Sequence, residues 1–181
     1  FVALRHLRFH SLTALIAAAG ADAASPFVQR LVLAADQFIV ARDIPVGDGV
    51  EHGRSVIAGY PWFLDWGRDS IICARGLIAG GMIDDVRDLL LTFARFEENG
   101  TLPNTIHGEN ASNRDTSDAA LWFGVACEEL EAVLPGFRET KVDAKRRVAD
   151  VLRSIAVHHV RGTPNGIRMD AESALVWSPS H

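Results

Sequence analysis

The stretch that decides the fold is SIICARGLIAGGMIDDVRDLLLTFARFE, residues 70–97. Its first part, residues 70–80, is apolar nearly all round and is interrupted only by Arg75, which is typical of a helix buried on all sides. Its second part, residues 84–97, is amphipathic and predicts a helix that covers the first from outside. The apolar stripe of that second helix consists of Val86, Leu89, Leu90, Phe93 and Phe96.

The same alternation returns further along the chain. Residues 118–133 begin apolar on every side, and residues 141–160 are amphipathic, with Thr140 and Asp143 as a possible capping box. Helices that are buried on all sides thus alternate with helices that cover them from outside. This alternation predicts helical hairpins arranged as an inner and an outer ring. Because successive helices run antiparallel, the inner helices should all point the same way. We therefore expect an all-α fold.

The segment before residue 70 has other patterns. Ser25 and Pro26 predict a helix start, and apolar residues then recur at helical spacing. Residues 43–53 are interpreted as a loop, and residues 54–63 as a short strand or hairpin arm. A short β-hairpin or strand-like loop is thus expected before the first inner helix. The recurring apolar residues of the early helix are Phe27, Leu31, Ala34 and Phe38.

The composition narrows the class of protein. With 181 residues, 48% hydrophobic and 23% charged, the chain is globular, and its net charge of −5 argues against a nucleic-acid or anionic-membrane partner. No apolar run approaches the ~18 residues of a membrane span. Cys73 and Cys127 are interpreted as reduced, buried thiols, which suits the cytoplasm. No P-loop, dinucleotide fingerprint or Cys/His cluster appears, so neither a cofactor nor a metal is expected.

The two ends of the chain suggest a piece of a longer module. Residues 4–23 imitate a signal peptide, but the chain opens on Phe1, and an internal helix is the preferred interpretation. The last residues, ALVWSPSH, show no helix end and no polar tail. We expect truncation at both ends, and the sequence sets no oligomeric state.

Three loops lead into the predicted inner helices and should gather at one end of the fold. They are residues 61–69, 104–118 and 165–181. Nearly every Trp of the chain, and most of its suggestive Asp, Glu and Arg residues, lies in or beside them. The functional site is therefore expected at that end.

The first loop crowds rings and charges together in GYPWFLDWGRDS, residues 59–70. A sugar explains both, since it presents hydroxyls at its edge and C–H groups on its faces. Arg68 offers a fork of donors and Asp69 accepts, while Trp62 and Trp66 offer rings. Gly67 would allow close approach of the backbone. The alternative is structural: Asp69 caps the helix and Arg68 forms an ordinary ion pair.

The other two loops carry weaker signals. Asp118 and Trp122 are four residues apart and would share one helix face, although Asp118 or Asp115 could simply cap the helix. Asp170 and Glu172 are two apart and would point the same way in an extended segment. Paired carboxylates suit general acid and base catalysis, but many surface loops have the same composition.

Several of these motifs, in this order, resemble the C-terminal family of glycogen debranching enzymes, the amylo-α-1,6-glucosidase module. The resemblance runs from about Ala34 to His181, and its most specific part is YPWFLDWGRD. The motifs are LAADQFIVAR, IAGYPWFLDWGRDS, GTLPNTI, TSDAALWF and GIRMDAESALVWSPSH.

This resemblance implies an (α/α)6 barrel related to that of glucoamylases, of which residues 1–181 would be the incomplete N-terminal part. It also implies hydrolysis, with inversion, of α-1,6-linked glucose at branch stubs of a glycogen-derived α-glucan. Arg68 and Asp69 match the pair that grips this glucose. The predicted substrate-binding residues are Tyr60, Trp62, Asp65, Trp66, Arg68, Asp69, Asp118 and Trp122.

One departure from the family pattern matters. In the family, WSPSH is followed by Thr-Trp-Met-Asp, whose Asp is the expected general acid, and the base lies later still. Inversion requires two carboxyl groups roughly 6.5–9.5 Å apart. We therefore interpret Asp170 and Glu172 as pocket or loop-structuring residues, with the catalytic pair beyond His181. The chain alone should be inactive and should expose apolar inner-helix surface.

Two alternatives stay open. Another glycosidase on the same barrel, trehalase-like or glucosylglycerate hydrolase-like, would use a similar glucose pocket. A non-catalytic carbohydrate-binding helical module would lack the Thr-Trp-Met-Asp continuation past His181.

Overall fold

The computed structural model describes residues 12–21, 24–46, 49–59, 63–107 and 110–179, and it is mostly helical. Its helices are α1 Leu12–Ala18, α2 Pro26–Asp36, α3 Gly67–Ala79, α4 Ile83–Arg95, α5 Ala119–Val133 and α6 Val148–Arg161. Three small antiparallel sheets accompany them, β1 Ile39–Val46 with β2 Gly49–Val56, β3 Asp65–Trp66 with β4 Thr105–Ile106, and β5 Arg168–Met169 with β6 Val176–Trp177. The expectation of a helical fold with a short β-hairpin is thus confirmed as a mostly-α fold with small sheets.

The hairpin β1–β2 is longer than the predicted strand or hairpin arm. It pairs residues from Ile39 opposite Val56 to Val46 opposite Gly49, so the loop predicted for residues 43–53 is wrong. Pro and Gly suggested a loop, but a two-stranded sheet has only edge strands, where Pro45 is tolerated. Gly53 has a packing reason, because an added Cβ would lie 2.4 Å from Thr92 Oγ1 of α4.

Helices α3 and α4 form the predicted helical hairpin, joined at Gly80–Met82. α3 begins at Gly67, three residues before the predicted start, and α4 ends two residues before the predicted end. The core between the helices and the sheets includes Ile71, Ala74, Leu77, Leu89, Leu90, Phe93, Phe123, Ala126 and Leu130.

The helices predicted as buried on all sides, α3 and α5, bury only one face in the described residues. Ile72 on α3 is 39% exposed, and Leu121 and Val125 on α5 are 43% and 41% exposed. Apolar surface is therefore exposed on both of these helices.

Helix α5 begins and ends within one residue of its predicted bounds, whereas α6 begins seven residues later than predicted. Asp143 does not cap a helix: its Oδ1 accepts hydrogen bonds from the backbone N–H groups of Lys145 and Arg146, each at 2.8 Å. This turn delays the helix, which begins where the Arg147 backbone N–H donates to Asp150 Oδ2 at 2.9 Å.

Two ion pairs show that α3 and α5 run parallel. Arg68, at the start of α3, pairs with Asp118 at the start of α5, and Arg75 further along α3 pairs with Glu129 further along α5. The prediction that inner helices point the same way is confirmed for these two helices.

Helix α2 begins as predicted, with Ser25 as its N-cap and Pro26 in its first turn. Its predicted apolar stripe nevertheless faces outward, and Phe27 and Leu31 are 70% and 53% exposed. Among the described residues, no helix is long and apolar enough to cross a membrane.

Candidate substrate-binding site

The first two predicted loops are joined by the small sheet β3–β4. Asp65 pairs with Ile106 and Trp66 with Thr105, and the Gly67 N–H donates to the Asn104 carbonyl at 2.8 Å. A Cβ at Gly67 would lie 2.3 Å from the Pro103 carbonyl oxygen. Gly67 therefore permits the close approach of two protein loops, a role different from the approach of a sugar predicted from the sequence.

The third loop is attached to the second by side-chain hydrogen bonds. Asn165 Nδ2 donates to the Arg114 carbonyl at 2.9 Å. The Arg114 guanidinium in turn donates to the carbonyls of Thr101 at 3.0 Å and Phe96 at 2.7 Å. All three loops therefore meet at one end of the α3–α5 pair, as the alternation of helices predicts.

Arg68 and Asp118 form an ion pair at this junction. Arg68 Nε donates to Asp118 Oδ1 at 2.8 Å, and the two side chains are 39% and 40% exposed. Asp118 occupies the N-cap position of α5, but its side chain makes no capping hydrogen bond. The carboxylate is directed to Arg68. Because both side chains are about two-fifths exposed, solvent and a ligand can reach the pair.

Asp69 and Trp66 lie beside this pair. Trp66, not Asp69, occupies the N-cap position of α3, and the capping role considered for Asp69 is not observed. Asp69 is exposed in the first turn, where the partial positive charge of the helix N-terminus favours a carboxylate. Trp66 is 37% exposed. An acceptor and an aromatic surface thus accompany the Arg68 donors.

Asp65 lies on the inner side of the same loop and is only 4% exposed. Arg42 of β1 binds both of its carboxylate oxygens: Nε donates to Oδ2, and Nη2 donates to Oδ1 at 2.6 Å. The same Nη2 donates to the Ile106 carbonyl at 3.2 Å. Asp65 therefore braces the hairpin β1–β2 against the sheet β3–β4. Its partner was missed because it lies 23 residues upstream, although Arg42 ends the motif LAADQFIVAR.

Trp122 shares a helix face with Asp118, as their spacing predicts. Both face α3, because the Arg75 guanidinium lies 5.6 Å from the centroid of the Trp122 ring. Arg75 Nε also donates to Glu129 Oε1 at 2.8 Å. Trp122 is partly buried against the core, so it forms a wall of the junction and not a fully open platform.

The acidic pair of the third loop is not aligned. Asp170 begins the turn between β5 and β6 and Glu172 lies within it, so the extended segment assumed from the sequence is wrong. Asp170 Oδ1 accepts hydrogen bonds from the Ser173 hydroxyl at 2.7 Å and the Ser173 N–H at 2.8 Å. These bonds lower the pKa of Asp170. A general acid must hold a proton, so the environment of Asp170 favours a loop-structuring role.

Tyr60 and Trp62 lie outside the described residues, as does His181. Within the described part of the chain, no group of three His, Cys, Asp or Glu side chains could hold a metal ion. The remaining polar and aromatic groups at the junction fit a ligand rich in hydroxyl groups.

Comparison with known proteins gives this arrangement a family. Residues 33–181 match the family model described as amylo-alpha-1,6-glucosidase, and the chain belongs to that family. It is also 30% identical, over 118 residues, to the glycogen debranching enzyme of Saccharomyces cerevisiae. That similarity covers 60% of this chain and 8% of the yeast enzyme, so the chain spans less than a tenth of its curated relative.

Proposed function

We propose that the intact protein is a glycoside hydrolase that removes α-1,6-linked glucose from branch stubs of glycogen or limit dextrin. The described chain would supply much of the glucose-binding subsite. The observation that carries the proposal is the half-exposed Arg68–Asp118 ion pair, placed where three loops meet and flanked by Asp69 and Trp66. Membership of the amylo-alpha-1,6-glucosidase family supports the choice of bond.

Each residue receives a role from its surroundings. Arg68 would donate to neighbouring hydroxyls of the glucose, and exposed Asp69 would accept from another. The Trp66 ring would cover an apolar face of the sugar. Asp118 and Trp122 would form the wall beside α5. Tyr60 and Trp62 keep their predicted place in the pocket, while we assign buried Asp65 to bracing instead of sugar contact.

The proposed reaction needs two carboxyl groups, one to protonate the leaving oxygen and one to activate a water on the opposite face of the sugar. The lowered pKa of Asp170 and the exposure of Glu172 do not suit a general acid. We therefore assign glucose binding to this chain and bond breaking to carboxylates outside it. The free thiols Cys73 and Cys127 suit a reducing compartment, and the cytoplasm is part of the proposal.

The test is hydrolysis by the intact gene product that contains this chain. We expect it to release glucose from a branched limit dextrin and not from trehalose, with β-glucose as the first anomer seen by proton NMR. The 181-residue chain alone should release none. Hydrolysis of trehalose instead, or binding of the dextrin without glucose release, would contradict the proposal and favour a trehalase-like enzyme or a binding module.

A further inference from the structure

Asp118 immediately precedes α5, its backbone is already helical at φ −109° and ψ −15°, and its side chain makes no capping bond. The first N–H groups of a helix have no partner within the helix, and an Asp at the N-cap ordinarily accepts from one of them. In α5 the Asp118 side chain makes no such bond. Its Oδ1 instead accepts from Arg68 Nε at 2.8 Å. The helical backbone of Asp118 thus leaves its carboxylate directed to Arg68 and not to the first N–H groups of α5.

That partnership adds little to the stability of the fold. Both side chains are about two-fifths exposed, at 39% and 40%, and an exposed ion pair contributes little because water screens it. What the pair does provide is geometry. A guanidinium is planar and carries five N–H donors in a fixed fork, so holding Nε sets the plane of the whole group.

The backbone around the pair is fixed independently. Arg68 follows Gly67, whose N–H is bonded to Asn104 and whose Cα lies against the Pro103 carbonyl. Asp118 immediately precedes α5, whose buried Phe123 and Ala126 share one core with Ile71 and Ala74 of α3. Two rigid helix starts therefore hold the donor and the acceptor in place.

From this geometry we infer that Asp118 is a positioning residue, which orients the Arg68 guanidinium toward the glucose and does not itself bind the sugar. The inference rests on the proposed function, and it divides the roles within that site. It assigns to Arg68 the contact with adjacent hydroxyls, and to Asp118 the angle at which the donors meet them.

A double-mutant cycle in the intact gene product tests the inference, with kcat and KM measured on a 6-O-α-glucosyl maltooligosaccharide. Asp118→Ala should lower kcat/KM about 10- to 100-fold, mainly through a higher KM, because the Arg68 guanidinium is no longer held in the orientation that meets the sugar hydroxyls. Asp118→Asn should recover part of this loss, since the amide oxygen still accepts from Nε. In an Arg68→Ala background, Asp118→Ala should cost no more than about twofold.

The matched control is Glu129→Ala. Glu129 makes the same kind of bond to the same helix and is 35% exposed, but it lies eleven residues further along α5, roughly 16 Å from Asp118. It should leave kcat/KM within about twofold of the wild type while changing the melting temperature as little as Asp118→Ala does.

The possible results distinguish a failure of the positioning role of Asp118 from a failure of the proposed glucose subsite. If the losses from Arg68→Ala and Asp118→Ala multiply in the double variant, Asp118 contacts the sugar directly and the inference is wrong. The inference is equally wrong if Asp118→Ala leaves kcat/KM unchanged while Arg68→Ala abolishes hydrolysis. If Arg68→Ala itself is silent, the proposed glucose subsite fails, and the inference fails with it.

Discussion

Residues 65–68 begin and end with a member of an Arg–Asp ion pair. The Arg42–Asp65 pair is nearly buried, and the Arg68–Asp118 pair is partly exposed. Asp65 and Arg42 are nearly buried, with side chains 6% and 11% exposed, and Arg42 binds both carboxylate oxygens. Three residues later, Arg68 Nε donates to Asp118 Oδ1, and these two side chains are 39% and 40% exposed. The first pair ties two sheets together, and the second faces the end where the loops meet.

The difference shows that burial, not residue type, decides what an ion pair does. A buried pair is strongly destabilising to break, because the remaining charge is left without a partner and without water. An exposed pair is inexpensive to break, yet it fixes the direction of a donor group. The comparison therefore predicts large stability effects at Asp65 and large effects on substrate binding at Arg68.

The largest stability effect should come from breaking the buried pair. Asp65→Ala leaves the Arg42 guanidinium buried and unpaired, and should lower the free energy of unfolding by about 3–5 kcal/mol in urea denaturation. Replacing both partners, as Arg42→Met with Asp65→Leu, should recover most of that loss. A cost below about 1 kcal/mol for Asp65→Ala would show that this pair is not a brace.

Gly67 lies in the sequence between Asp65 and Arg68, one member of each ion pair. A Cβ there would meet the Pro103 carbonyl oxygen at 2.3 Å, so Gly67→Ala should cost about 1–3 kcal/mol of unfolding free energy. Gly76, on the same helix, has no atom within 4 Å of an added Cβ. Gly76→Ala should therefore stabilise the chain by about 1 kcal/mol, measured in the same urea titration. Equal effects at the two glycines would refute the close contact of the loops.

The exposed pair should contribute little to stability. Asp118→Ala should change the free energy of unfolding by less than about 1 kcal/mol, and by less still in 1 M salt, which screens exposed charges. Urea titrations at low and high salt measure both quantities. If Asp118→Ala lowered the free energy of unfolding as much as Asp65→Ala does, the buried and the exposed ion pair would not differ in their contribution to stability.

Asp170 is an acid held mainly by local hydrogen bonds, and its contribution to the free energy of unfolding should be the smallest of those compared. Ser173 donates to it through its hydroxyl and its N–H, and these bonds lower the pKa of Asp170. The stability gained is therefore present above the pKa of Asp170 in the unfolded chain, and is lost as the pH falls through its folded value.

Carbon-13 NMR titration of the Asp170 carboxyl checks this. Its midpoint should lie below the ordinary range of an Asp, and Ser173→Ala should move it up toward that range. A midpoint above the ordinary range would instead restore Asp170 as a candidate general acid.

The hydrophobic pattern of the sequence predicts the helices well because it reports burial over several turns. It places α5 within one residue, the α3–α4 hairpin within three, and the parallel direction of α3 and α5. It fails where a local side-chain bond decides the structure, as at Asp143, whose turn delays α6 by seven residues. It also fails for the hairpin β1–β2, because Pro45 and Gly53 suggest a loop unless their partners across the sheet are known.

The site was predictable as a set of residue types but not as a set of partners. Arg68 and Asp118, which the sequence placed in two different loops, form an ion pair, whereas Trp122 lies against Arg75. Asp65 has the same residue type as Asp69, and only the fold shows that Arg42 buries one of them while the other stays exposed. Long-range pairing of this kind leaves no trace in local spacing.

The most direct test of the account is a pair of arginine substitutions in the intact protein. Arg68 and Arg87 are ion-paired and similarly exposed, at 39% and 37%, but Arg87 lies on α4, where it pairs with Asp84 and Asp88. On a 6-O-α-glucosyl oligosaccharide, Arg68→Ala should lower kcat/KM by about 100-fold or more, and Arg87→Ala should leave it within about twofold. Equal activities of the two variants would contradict the placement of the glucose subsite at Arg68.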